Sequence, residues 1–206
     1  MSVSGSIFVV SGPSGAGKST IIRLVREAVS GLAYSISHTS RKPRGPEVDG
    51  VDYHFVDSNT FGKMIEKGEF VEWAEVYAHH YGTSFAGLEG PKSQGLDVIL
   101  DVDVKGAANV KASFKESVLV YVLPPSMEEL AKRLKNRGTD SDDAVLARLK
   151  KAAEEIRSCL WYEYLIFNEE LMGAVEEMKS LILAERCRRS RQLPKARRVF
   201  DLDASL

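Results

Sequence analysis

Short apolar runs alternate with amphipathic segments along the chain. The apolar runs predict β-strands at residues 7–10, 98–102, 117–123 and 164–167, and the segments between them have the apolar spacing of helices. Alternating strands and helices form right-handed crossovers, which build a mainly parallel sheet covered by helices on both faces. We therefore predict a three-layer α/β/α fold that binds its ligands at the carboxyl ends of the strands.

Two segments interrupt this alternation. Residues 35–94 are rich in Tyr, His, Gly and Glu and contain shorter alternating strands, so they predict an inserted subdomain. Residues 136–157 combine a Gly-Thr turn with a helix that carries arginines, which suits a mobile lid. We interpret residues 1–206 as one domain, with a core at 1–34, 95–135 and 158–190, this insert, this lid, and a basic tail at 190–206.

A phosphate-binding motif follows the first predicted strand. Residues 12–19 read Gly-Pro-Ser-Gly-Ala-Gly-Lys-Ser, which fits the pattern G-x-x-x-x-G-K-[ST] between a strand and a helix. Glycines let the backbone curl until successive N–H groups point at one phosphate, and the following helix adds the positive end of its dipole. We expect Lys18 to reach the β- and γ-phosphates and Ser19 to offer its hydroxyl to Mg²⁺. The motif identifies the predicted fold as that of a P-loop NTPase.

Composition identifies no binding partner, but it limits the expected cellular location of the protein. The chain has 206 residues, of which 44% are apolar, so it can bury a full core. Its net charge of −1 gives it no long-range attraction to polyanions. Its two cysteines, Cys159 and Cys187, lie far apart and indicate neither a disulfide framework nor a zinc site. Residues 1–5 are too short for a signal sequence, and no apolar run approaches a membrane span. We expect a soluble, cytoplasmic protein without nucleic-acid or membrane partners.

The insert carries the most specific pattern. Its motifs are Ser-His-Thr-Ser-Arg-Lys-Pro-Arg at 37–44, Asp-Tyr at 52–53, Phe-Val-Glu-Trp-Ala at 70–74 and Tyr-Gly-Thr at 81–83. In order and spacing these resemble the acceptor-nucleotide subdomain of guanylate kinases. The resemblance continues through Ile-Leu-Asp-Val-Asp at 99–103 and Arg-Gly-Thr at 137–139. It implies an enzyme that transfers the γ-phosphoryl group of ATP to GMP, and to dGMP, giving ADP and GDP.

The resemblance also implies a GMP site. Guanine presents N1–H and the 2-amino group as adjacent donors, so a selective pocket requires a carboxylate there. Glu72 matches the family position for that contact. The remaining implied contacts are Ser37, Thr83 and Asp103 with the base, Arg41, Arg44, Tyr53 and Tyr81 with the monophosphate, and Gly82 and Asp101 elsewhere in the same site.

On the donor side, transfer requires positioning and charge neutralisation and no covalent intermediate. The implied ATP contacts are Ser14, Gly15, Ala16, Gly17, Lys18, Ser19 and Thr20 of the P-loop, with Asn168 near the adenine. The resemblance further implies that Arg44, Arg137 and Arg148 converge with Lys18 on the phosphates once the lid closes. Mg²⁺ would be held by Ser19 and, through water, by Asp101.

The sequence gives weaker support to three other functions. A guanylate-kinase-like protein-interaction module keeps the fold, but such modules have typically lost the P-loop chemistry whose residues are present here. The sequence has no N-K-x-D motif, which argues against a GTPase switch. The basic segment 186–198 could bind RNA or an acidic surface, although it is more typical of a solvated helix end and tail. A homodimer or a higher homo-oligomer stays open.

Overall fold

The computed structural model of the chain describes residues 4–76, 78–135 and 142–202. Its strands are β1 (Ile7–Ser11), β2 (Leu32–Tyr34), β3 (His38–Thr39), β4 (His54–Phe55), β5 (Phe70–Val76), β6 (His79–Ser84), β7 (Asp97–Asp101), β8 (Val118–Leu123) and β9 (Tyr164–Phe167). Its α-helices are α1 (Lys18–Ala28), α2 (Ser58–Glu66), α3 (Phe85–Ser93), α4 (Val104–Ser113), α5 (Met127–Lys135), α6 (Asp142–Ile156), α7 (Leu171–Arg186) and α8 (Arg189–Phe200). A 3₁₀ turn, Arg157–Trp161, follows α6.

The central sheet has the order β2-β7-β1-β8-β9, and all of its strands are parallel. Strand β1 lies in the middle, where Val9 pairs with Leu100 of β7 on one side and with Leu119 of β8 on the other. The parallel sheet confirms the predicted fold class. The four predicted strands correspond to β1, β7, β8 and β9, whereas the three-residue strand β2 was missed.

Helices cover both faces of the central sheet because successive side chains of a strand point to opposite faces. Phe8 and Val10 of β1 pack with α1 and α7 in one buried cluster, whereas Ile7 and Val9 pack with α3 and α4 in another. Fully burying one such side chain contributes roughly 1.5–3 kcal/mol. The two clusters therefore fix β1, and with it the P-loop that follows.

Residues of the predicted insert form a second sheet, with the order β4-β3-β6-β5. Strands β5 and β6 are antiparallel, and their register shifts between Phe70 and Glu72. A β-bulge of this kind re-aims side chains. Beyond the shift, Glu72 lies directly opposite Thr83, which positions its carboxylate.

The basic segment that the sequence indicated as a tail contains helix α8. The carboxylate of Asp97, with 2% of its side chain exposed, accepts from Arg186 Nε at 2.7 Å and from Arg191 Nη1 at 2.8 Å. The same carboxylate accepts the Ser6 backbone N–H at 2.7 Å. These contacts hold the α7–α8 corner to the start of β7. Among the described residues, no helix is long and apolar enough to cross a membrane.

Candidate active site

The P-loop joins the carboxyl end of β1 to the first turn of α1. Gly12 (φ 148°) and Gly17 (φ 95°) have backbone conformations that L side chains rarely adopt. Space is also limited, because a Cβ at Gly17 would overlap the side-chain amide of Asn168. Ser19 and Thr20 follow in the first turn of α1 and are exposed. The helix N-terminus therefore presents free space, amide groups and hydroxyls, as a polyphosphate requires.

The other predicted P-loop contacts differ in exposure. Ser14 is exposed at the tip, whereas Ala16 is 0% exposed and belongs to the core cluster with α1 and α7. Gly15 has φ 91° and faces the side chains of Leu130 and Leu134 in α5. Ala16 therefore offers ligands only its backbone, and its side chain fixes the loop to the core.

Asn168 lies behind the P-loop at the end of β9. Its Nδ2 donates to the Ala16 carbonyl oxygen at 2.7 Å, and the residue is 5% exposed. The Asn168 backbone donates to Leu123 at 2.8 Å and accepts from Arg133 Nη2 at 3.0 Å. The sequence expectation was a contact near adenine, but the amide of Asn168 contacts the loop itself. Its observed role is to hold the P-loop, and an adenine contact stays a prediction.

Lys18 and Asp101 face each other across the cleft. Lys18 Nζ donates to the Gly12 carbonyl oxygen at 2.8 Å and lies 3.9 Å from Asp101 Oδ1. Burial raises the pKa of the Asp101 carboxyl, and the nearby Lys18 charge opposes this rise. The lysine is therefore held over the P-loop by backbone oxygens, next to a carboxylate at the end of the adjacent strand.

Glu72, Thr83 and Asp103 come together between the insert and the core. Thr83 is 0% exposed, and its hydroxyl donates to Glu72 Oε1 at 2.6 Å. The other Glu72 oxygen lies beside Gly106, where a Cβ would approach to 3.1 Å. Asp103 caps α4 by accepting the Gly106 N–H at 2.8 Å. Burial raises the pKa of Glu72, whereas the hydrogen bond from Thr83 lowers it.

Two further predicted GMP contacts have structural partners. The Ser37 carbonyl oxygen accepts the His54 N–H at 2.9 Å, at the entrance to β3. A Cβ at Gly82 would lie 2.9 Å from the Phe70 ring, so the glycine makes room for packing within the insert. Gly82 lies in β6 next to Thr83, and Ser37 immediately precedes β3, which pairs with β6.

Cationic and aromatic side chains collect in the loop after β3. Arg41 is buried and donates through both terminal nitrogens to Glu47, at 2.6 Å each. Its guanidinium carbon lies 5.0 Å from the Tyr53 ring centroid, and Tyr53 meets Tyr81 edge to face. The hydrogen bonds from Arg41 lower the pKa of Glu47 to about 2. Glu47 also accepts the Arg44 N–H at 2.7 Å, and the Arg44 side chain is exposed.

The sequence analysis did not predict the pairing of Arg41 with Glu47. The two residues are six positions apart in a loop, so no helical or strand spacing identifies the contact. The pairing holds the guanidinium in place before any nucleotide is present. A second anion can then approach Arg41 without first ordering its side chain.

A cavity of about 310 Å³ separates the P-loop from α6. It is lined by Gly12, Ser14, Lys18, Asp101, Val102, Asp103, Arg148, Lys151 and Glu155. The predicted lid residue Arg148 is thus in the cleft with Lys18, whereas Arg137 lies outside the described residues. Lys151 and Glu155 were missed, although the spacing of Lys151 from Arg148 indicates the same helix face.

The donor set suits Mg²⁺ more than a protein-enclosed metal. No group of three or more His, Cys, Asp or Glu side chains that could hold a metal ion occurs in the described ranges. Mg²⁺ keeps several waters and binds through one or two protein oxygens together with substrate phosphates. The exposed Ser19 hydroxyl and the Asp101 carboxylate beside Lys18 fit that requirement.

Comparison with known proteins gives a consistent family. A family model described as guanylate kinase matches residues 4–185. The guanylate kinase of Syntrophotalea carbinolica is 47% identical over 203 residues, which cover 98% of this chain and 97% of the relative. That of Geobacter metallireducens is 45% identical over 198 residues, covering 96% and 98%. The crystal structure of guanylate kinase from Anaplasma phagocytophilum is 31% identical, with a TM-score of 0.76 and 95% of each chain covered.

Proposed function

The chain belongs to the guanylate kinase family, and we propose that it transfers the γ-phosphoryl group of ATP to GMP or dGMP, giving ADP and the nucleoside diphosphate. The observation that carries this proposal is the pairing of two sites along one edge of the central sheet. The P-loop with Lys18 follows β1, and Asp101 and Asp103 follow the neighbouring strand β7. Glu72 of the insert lies beside Gly106, whose N–H is accepted by Asp103.

Recognition of guanine rests on the ionised carboxylate of Glu72. Guanine offers N1–H and the 2-amino group side by side, and two carboxylate oxygens accept both. The hydroxyl of Thr83 fixes one of these oxygens at 2.6 Å, so little ordering is required when the base enters. Adenine lacks these adjacent donors, so it would leave a buried carboxylate without partners, which supplies discrimination on the order of 10⁴-fold.

The monophosphate of GMP would bind the cations of the loop after β3. Glu47 occupies the two-point face of Arg41 and fixes the guanidinium, so a phosphate oxygen would accept from its remaining N–H groups. Tyr53 and Tyr81 surround the guanidinium, and their hydroxyl groups are the donors assigned to the phosphate oxygens. Arg44 supplies a further exposed cation in the same loop.

Transfer then depends on neutralising the charge of the migrating phosphoryl group. Lys18 and Arg148 line one cleft, and Arg44 and Arg137 would join them when the lid closes. Ser19 and, through water, Asp101 would hold Mg²⁺, which would supply positive charge to offset that of the donor phosphates. A closed cleft also keeps water from taking the phosphoryl group. We further propose a cytoplasmic setting, where ATP and GMP are available.

A coupled assay of ATP consumption tests the proposal with three acceptor conditions: GMP, AMP and none. Of the three conditions, only GMP should give rapid consumption of ATP. Chelation of Mg²⁺ should stop this turnover. Equal rates with AMP would refute the assignment of Glu72 to guanine. Rapid ATP loss without an acceptor would instead show a hydrolase, and a chain that binds GMP without transfer would be a binding module.

A further inference from the structure

Lys151 lies one helical turn after Arg148 and lines the same cleft as the P-loop. Lys18 and Arg148 are the cations already assigned to the phosphates in this cleft. The position of Lys151 therefore places a third described positive charge at the wall opposite Gly12 and Ser14. Charges that converge on one cleft raise the local concentration of an anionic ligand.

The ammonium of Lys151 has a weak partner in the structure. Its Nζ lies 3.5 Å from Glu155 Oε1 on the next turn of α6, and 76% of the Lys151 side chain is exposed. Exposed ion pairs of this kind contribute about 1 kcal/mol or less. A polyphosphate presents several charged oxygens, whereas Glu155 presents a single carboxylate, so exchange of partners favours the phosphate.

We propose that Lys151 binds the polyphosphate of the nucleoside triphosphate donor and leaves Glu155 as the nucleotide enters. This inference rests on the proposed function, because it assigns a further phosphate-binding side chain to the same reaction. The donor is the ligand, since the cleft contains Gly12, Ser14 and Lys18 of the P-loop. Arg41, which is assigned to the phosphate of GMP, lies in the insert and does not line this cleft.

Calorimetric titration of a non-hydrolysable ATP analogue into Lys151→Ala tests the proposal. We expect about fivefold weaker binding at low salt, with a smaller loss at high salt because exposed charges are screened. Binding of GMP should not change. Alanine is a better helix former than lysine, so α6 is retained. Lys151→Arg keeps the charge and should restore most of the affinity.

Lys150→Ala is the matched control. Lys150 is the preceding residue of α6, is exposed and lies outside the lining of the cleft. Its replacement should leave analogue affinity within about twofold, as for most exposed positions. Equal losses of analogue affinity in the two variants would refute a specific contact of Lys151. They would indicate only an effect of the protein's overall electrostatic field. A loss of GMP binding with unchanged analogue binding would refute the donor assignment.

A purely structural role for Lys151 predicts another outcome. Lys151→Ala would then lower the melting temperature while analogue affinity stayed at the wild-type value, and this result would overturn the inference. Failure of the proposed function is separate, because it appears in the wild-type protein as absence of transfer from ATP to GMP. Analogue binding by the variants remains measurable in that case.

Discussion

Replacing Asn168 by alanine should loosen the P-loop without removing a group assigned to the phosphates. The amide of Asn168 donates to the Ala16 carbonyl oxygen at 2.7 Å, and both residues are buried. The substitution leaves a buried acceptor without this donor, which costs about 2 kcal/mol. For a domain of this size, each 1 kcal/mol lowers the melting temperature by about 2–4 °C. We therefore expect a decrease of about 4–8 °C.

The same substitution should weaken ATP binding and spare GMP binding. The backbone amides after Ala16 point at the phosphates only while the turn at Gly17 is held, so part of the binding energy would be used to order the loop. An ordering cost of about 1.4 kcal/mol weakens binding tenfold. Calorimetry with an ATP analogue and with GMP measures both effects, and thermal unfolding by circular dichroism measures the first.

Two variants complete this experiment. Asn109→Ala, on the exposed side of α4, removes the same amide from a side chain that makes no hydrogen bond to the described residues, and it should leave both measurements unchanged. Asn168→Asp keeps the size but turns a carboxylate oxygen toward the Ala16 carbonyl, so the loss should exceed that of alanine. If Asn168→Ala unfolds and binds the analogue like the wild-type protein, the proposed anchoring of the loop is wrong.

Three further substitutions test other parts of the molecule. Lys18→Ala should lower kcat by about 10²-fold or more with an unchanged melting temperature, and more than about a tenth of wild-type turnover in the coupled assay would contradict its phosphate role. Glu72→Gln should weaken GMP by roughly 10–100-fold and leave the ATP analogue unaffected, because an amide accepts only one of the two guanine donors. In the wild-type protein, GMP affinity should fall as pH decreases through the raised pKa of Glu72, since protonation removes the acceptor, and this dependence should be absent in Glu72→Gln. Asp97→Asn should destabilise the fold by about 3 kcal/mol, lowering the melting temperature by roughly 6–12 °C while KM for both nucleotides stays constant; unchanged unfolding would show that the contacts with Arg186 and Arg191 contribute little.

Local patterns in the sequence predict the central layer well. Strands buried on both faces appear as continuous apolar runs, which identified β1, β7 and β8 with errors of one residue or less at each end. Strand β9 is also a continuous apolar run and was identified with its bounds, although Leu165 and Phe167 are exposed. The two-residue strands β3 and β4 could not be identified, because their pairing depends on the rest of the insert. Helix α8 was interpreted as a tail, since its docking depends on the distant Asp97.

In the candidate site, too, the local motifs could be predicted from the sequence and the tertiary contacts could not. The P-loop is a contiguous motif whose glycines and lysine can be identified from the sequence alone, and α1 begins within it at Lys18. The pairing of Arg41 with Glu47 and the position of Lys151 in the cleft depend on tertiary proximity, which composition and periodicity do not encode. The ligand contacts of the acceptor residues stay predictions until nucleotide binding is measured.

The central position of β1 has a consequence for the growing polypeptide. β1 and the P-loop emerge from the ribosome before the flanking strands β7 and β8, which follow only after the insert has been made. The hydrogen bond that fixes Ala16 comes from a residue 152 positions later. A nascent chain that ends before Asn168 thus contains the entire phosphate-binding motif but lacks the hydrogen bond that holds the P-loop in its binding conformation. Affinity for ATP should arise only after the acceptor residues have been synthesised, so the cell is not exposed to a half-built enzyme that holds a phosphoryl donor without an acceptor.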